Sequence, residues 1–142
     1  MSVEHTCFFK LAKDALELSG EDRTRNAISR SYYGIYHSAL RLINYRTPGT
    51  DLEGNKLPGG SHQRLYTYFC SGDAATEGGY DANAIKKLGL KLKMQHALRV
   101  NADYRLSEKI NRITAISMLS DAIAFDAEVD RLLLEATNKM TA

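Results

Sequence analysis

The apolar residues of this chain recur with the period of a helix almost everywhere. Phe8, Leu11, Ala12, Ala15 and Leu18 follow one another at helical spacing with Lys10, Lys13, Asp14 and Glu17 between them, which predicts a first helix over 4–18. Ser19-Gly20 breaks the pattern, and Ser19-Gly20-Glu21-Asp22 has the form of a capping box opening a second helix. That helix is expected to run from Glu21 to about Tyr45, where Thr47-Pro48-Gly49 stops it. Residues 46–60 hold both prolines and four glycines and predict a long loop. A short third helix follows from His62 to Phe69, with Ser61 as its N-cap. Residues 71–81 then read as a second loop. A fourth helix is expected over Asp81–Ala102 and a fifth over Ser107–Asn138. The fifth helix has Ile113, Ile116, Leu119, Ile123, Leu132, Leu133 and Ala136 as its apolar stripe. No alternating strand pattern, repeat or low-complexity tract occurs. The expectation is an all-α, up-and-down antiparallel bundle of four long helices plus one short helix.

The 142 residues suit a single domain spanning 1–142, long enough to bury a core without staples. No apolar run reaches the length of a membrane span, and Met1-Ser2-Val3-Glu4-His5 lacks the basic and apolar segments of a secretory signal. The expected compartment is therefore the cytoplasm, with no membrane partner. The net charge of +2 neither demands nor excludes nucleic acid, so any binding surface must come from local clustering. Cys7 and Cys70 stand far apart in no metal-ligand spacing and read as two buried thiols. No metal site and no cofactor is expected. Gly59-Gly60 and Gly78-Gly79 match no phosphate-binding fingerprint, and neither G-x-S-x-G nor H-E-x-x-H is present.

Placed on a helical wheel, the second helix divides into two faces. Ile28, Tyr32, Ile35, Ala39 and Leu42 form the core face. Opposite them fall Arg23, Asn26, Arg30, Tyr33, His37 and Arg41, with no acidic residue on that face to balance the arginines. A solvated surface and a binding or dimer surface account for this about equally well. Arg30 and His37 lie two turns apart on one stripe. Arginine can meet the charge of a phosphate, and histidine can move a proton near neutral pH. Cleavage of RNA without a metal uses those two roles, because the ribose 2′-OH is itself the nucleophile. The other histidines, His5, His62 and His96, have no arginine at that distance. His62 reads as a helix N-terminal residue and His96 as a core or boundary histidine. Asp103 is the acid expected to bridge between helices to Arg30 or Arg99. Lys86, Lys87, Lys91, Lys93 and Arg99 make the fourth helix basic, but the lysines share no narrow face.

The run Ala27-Ile28-Ser29-Arg30-Ser31-Tyr32-Tyr33-Gly34-Ile35-Tyr36-His37-Ser38-Ala39 resembles the A-x-S-R-x-Y-Y-x-x-F-H-x-A signature of small HEPN-domain proteins, with Tyr36 in place of the phenylalanine. Ser61-His62 resembles the histidine-serine pair after that family's variable loop. Arg99 with Ala102-Asp103-Tyr104 resembles its R-x-x-A-D-Y segment, and the three matches come in the family's order. The resemblance implies a helical bundle, a homodimer and a role around RNA or nucleotides in toxin–antitoxin or phage-defence systems. It also implies a minimal nucleotidyltransferase antitoxin as partner. Catalytic members use an R-x(4–6)-H motif, so the resemblance implies Arg30 and His37 as catalytic residues of a metal-independent endoribonuclease. Arg23, Asn26, Tyr33 and Arg41 would then be substrate contacts, and Arg99, Asp103 and Tyr104 a structural network. Ser31 stands where catalytic members often place asparagine after the arginine. A non-catalytic module that binds a nucleotidyltransferase, a nucleotide or RNA through the same stripe is the alternative.

Overall fold

A computed structural model describes residues 3–141, with Met1, Ser2 and Ala142 lying outside the described part. The chain is all-helical: α1 Thr6–Leu16, α2 Glu21–Leu40, α3 Ser61–Cys70, α4 Asp73–Gly78, α5 Ala82–Tyr104 and α6 Arg112–Thr141, with a 3-10 turn Arg41–Ile43 after α2. Among the described residues no helix is long and apolar enough to cross a membrane.

The central element is α2, which packs against α1, α5 and α6. Its expected core face is the face it buries. Ile28, Ile35 and Ala39 are fully enclosed, with Tyr32 and Leu42 nearly so. Contacts along the helices fix their directions. Phe9 of α1 lies against Gly34, while Arg112 at the start of α6 bonds the carbonyls of Leu16 and Leu18, so α1 runs against α2. Ser29 pairs with Asp103 and Tyr32 with His96, so α5 also runs against α2. Glu21 accepts from the Ile110 amide while Arg41 reaches Asp126 and Asp130, so α6 runs alongside α2. The long helices therefore alternate in direction along the chain, as short-looped bundles do. Gly34 is required by this packing, since a Cβ there would stand 2.3 Å from the Phe9 ring.

Several expectations need correction. The segment 71–81 is not all loop: α4 occupies Asp73–Gly78 between Gly72 and Gly79, both in left-handed conformations. Among the described residues that makes six α-helices rather than five. The capping box does not form. The N-cap of α2 is Gly20 at φ 126°, with no side-chain cap bond, and the N-cap of α3 is Gly60 rather than Ser61. The second helix stops its α-helical bonding at Leu40. Asn44 and Tyr45 both take the left-handed conformation that turns the chain away. The 46–60 loop is irregular but tied down by an antiparallel bridge between Thr50 and Lys56 and by the buried Leu57.

The largest correction concerns α6. Ile113, Ile116 and Ile123 are exposed, at 68%, 43% and 53%. The buried stripe is Ala115, Met118, Leu119, Ala122, Phe125, Val129 and Leu132. Its small residues let α6 lie close to α2, and Phe125 and Val129 fill the space beneath. The isoleucines form a second apolar stripe at helical spacing on roughly the opposite side. Cys7 and Cys70 are unpaired and only half-buried.

Candidate functional site

The outer face of α2 meets α1 on one side and α3 with α5 on the other. Arg23 and Asn26 stand exposed at its start, and among the described residues neither side chain joins a hydrogen bond or ion pair. Arg30 is half-buried, likewise with no hydrogen bond or ion pair among the described residues. One turn on, Tyr33 lies between Phe8 of α1, with ring centroids 6.0 Å apart, and the Arg99 guanidinium of α5, 5.3 Å from its centroid. His37 then stacks on Phe8 with centroids 5.4 Å apart and planes only 4° from parallel. Burial against this ring pushes the His37 pKa below its ordinary value, and the neighbouring His5 adds to the effect. His37 is consequently a neutral imidazole at pH 7.

Arg41 does not belong to the open part of this face. Its Nη2 donates to Asp126 at 2.8 Å and to Ser38 Oγ at 3.1 Å, and its Nη1 donates to Asp130 at 2.8 Å. The acids that balance it lie on α6, where a helical wheel of α2 cannot show them. Asp126 also accepts from Ser38 Oγ at 2.7 Å and pairs with His5 Nε2 at 2.7 Å. One half-buried carboxylate thus ties the start of α1 and the end of α2 to α6. Arg41, expected as a substrate contact, is held in this charge network.

Arg99 is buried, only 7% exposed. It pairs with Asp103 at 3.5 Å, and its guanidinium lies over the rings of Tyr32, Tyr33 and Tyr104. The Arg99–Asp103 pair is within α5, four residues apart, not between helices as expected. The link to α2 runs through Ser29 Oγ, which donates to Asp103 at 3.3 Å. Arg30 takes no part in that pair.

His62 and His96, expected as a helix N-terminal residue and a core or boundary histidine, stand at those places and meet in a cluster beside it that spacing along the chain does not show. His62 at the start of α3 and His96 of α5 stack with centroids 5.4 Å apart and planes 23° from parallel. The buried Tyr32 hydroxyl and His62 Nδ1 share a hydrogen bond of 2.7 Å, the ring centroids of Tyr36 and His62 lie 4.6 Å apart, and Tyr66 closes on His96. Burial raises the Tyr32 pKa, which keeps its hydroxyl protonated and able to donate. Burial, then the charges of Arg99, His96 and His37, lower the His62 pKa to about 4. His96 is lowered by burial and by Arg99. The available signal was Tyr32 itself, since a tyrosine on the core face of a helix needs a partner for its hydroxyl.

Arg25 was passed over, and its role is structural. It donates to the carbonyls of Asn101, Ala102 and Glu108, closing the C-terminal end of α5. Among the described residues no group of three or more His, Cys, Asp or Glu side chains is placed to hold a metal ion. What the outer face offers is proton transfer by neutral imidazoles, positive charge from Arg30 and Arg23, and aromatic rings for stacking. Compared with protein-family models, curated proteins and solved structures, the chain finds no match.

Proposed function

We propose that the chain is an HEPN-like protein directed at RNA, a metal-independent endoribonuclease of toxin or defence type that works as a homodimer. The observation that carries this reading is the state of the Arg30–Tyr33–His37 stripe. Arg30 has no internal anion to neutralise it, and His37 two turns away is held neutral and so able to accept a proton at pH 7. Half-buried Tyr33 and Tyr36 supply rings on which bases can stack, and Arg30 and Arg23 meet phosphate charge. In this reading His37 takes the proton of a ribose 2′-OH, and Arg30 meets the charge that builds on the phosphate. The Arg99–Asp103 pair with Tyr104 holds Tyr33 in place.

The test is cleavage of end-labelled RNA by purified protein with a chelator present. Wild type is expected to leave 2′,3′-cyclic phosphate ends. Arg30→Ala and His37→Ala should each lose about a hundredfold or more, and both should relieve growth inhibition. Cleavage and toxicity that survive both substitutions refute the reading.

One observation favours the alternative of a non-catalytic module. The flat Phe8–His37 stack is also how a histidine is packed for structure. In that case no RNA is cut, and His37→Ala instead weakens a complex with a nucleotidyltransferase partner.

A further inference from the structure

Cleavage of RNA through its own 2′-OH moves two protons. One leaves the attacking hydroxyl, and another must reach the 5′-oxygen as the P–O5′ bond breaks. Arginine neither gives nor takes a proton in this range, so within one protomer Arg30 and His37 account for only one of the two transfers.

His37 opens into a cleft of about 650 Å³ between the start of α1 and the end of α2. His5, Phe8, Arg41 and Tyr45 share its wall, with Glu4 at the edge. The second imidazole on that wall, His5, is tied down on one nitrogen only. Its Nε2 pairs with Asp126 at 2.7 Å, while Nδ1 joins no hydrogen bond among the described residues. Asp126 is itself held by Ser38 at 2.7 Å and Arg41 at 2.8 Å. A carboxylate bound to one nitrogen of an imidazole sets the ring's orientation and leaves the other nitrogen for the reaction. The groups facing His5 are Asp126 from α6, His37 and Arg41 from α2, and Glu4 beside it. Arg41 is already paired with Asp126 and Asp130, so its charge is not free for a phosphate.

We propose that this cleft is a reaction centre for single-stranded RNA in which His5 is the catalytic acid that completes His37, with Asp126 its positioning residue. The proposal rests on the RNA-cleaving reading above. His37 takes the 2′-OH proton, the 2′-oxygen bonds to phosphorus, and the P–O5′ bond breaks. His5 gives its Nδ1 proton to the departing 5′-oxygen. The products are a 2′,3′-cyclic phosphate and a 5′-OH end. Proton exchange with water then resets both rings. Both proton-transfer groups therefore come from one protomer.

The experiment compares single-turnover cleavage of ordinary RNA with cleavage of RNA carrying sulfur in place of the 5′-bridging oxygen at one position. A thiolate leaves without being protonated. On ordinary RNA, His5→Gln should lose about a hundredfold or more, and Asp126→Asn about tenfold or more. On the sulfur-bridged substrate both should return to within a fewfold of wild type, while His37→Ala stays inactive. A merely structural role for His5 or Asp126 would give no such rescue. Circular dichroism checks that each variant keeps its helices. If His5→Gln unfolds, Asp126→Asn and its rescue decide. His5→Gln cutting ordinary RNA at the wild-type rate, or failing to be rescued while folded, overturns the proposal and leaves the assignment of His37 standing. Wild-type protein that cuts no RNA overturns both.

Discussion

Lowering the pH from about 7.5 to about 4.5 puts a proton on a free imidazole but not on His62. In the folded chain this ring is enclosed by Tyr32, Tyr36 and His96 with the Arg99 cation nearby, and it stays neutral down to about 4, against an ordinary value of 6.5. The unfolded chain therefore takes up the proton first, and acid pulls the equilibrium toward unfolding. The stability linked to His62 is complete above pH 6.5 and is lost as the pH falls toward about 4. In a fully shielded site that difference would be worth about 3 kcal/mol. The His62 ring is only partly buried, and solvent screening brings the expectation to about 1–2 kcal/mol. Burial lowers His37 and His96 as well, so both add to the same trend. The assay is urea unfolding followed by far-ultraviolet circular dichroism at the two pH values, for wild type and His62→Gln. Glutamine keeps an acceptor for the Tyr32 hydroxyl but carries no titrating group. The loss of stability between the two pH values should shrink by about 1–2 kcal/mol in the variant. An equal or larger loss in His62→Gln would refute the assignment of a neutral, enclosed His62.

Two further substitutions test the packing that holds the site. Phe125→Ala removes a buried ring of α6 and should cost about 3–5 kcal/mol, whereas Ile123→Ala on the exposed stripe should stay within about 0.5 kcal/mol. Equal effects in thermal unfolding would reverse the faces assigned to α6. Gly34→Ala places a methyl group 2.3 Å from the Phe9 ring, so α1 must shift and stability should fall by about 1–3 kcal/mol. An unchanged melting temperature would show that α1 does not seat on α2 as described.

What could be read from the chain depended on how local the determining contacts are. The core face of α2 was legible because Ile28, Tyr32, Ile35, Ala39 and Leu42 are large or apolar at a strict helical spacing, and nothing on the other side competes with them. In α6 the same method found Leu119 and Leu132, which are buried, but set three exposed isoleucines beside them. Ile113, Ile116 and Ile123 outweigh Ala115 and Ala122 on any hydropathy scale. Close packing of helices selects for small size as well as for apolarity, and the alanines win the interior because they let α6 approach. The site divides along the same line. Arg30, Tyr33 and His37 share one helix, so their common face is fixed by local geometry and could be found on a wheel. The partners that decide what they can do come from elsewhere: Phe8 on α1, Arg99 on α5, and Asp126 on α6, which holds both Arg41 and His5. His5 had no helical neighbour to mark it, and its likeness to a working imidazole depends wholly on a carboxylate 121 residues away. An arginine–histidine spacing can thus nominate one imidazole of a cleft, but the second imidazole on its wall, His5, is set by tertiary contact and is visible only once α6 is laid against α2.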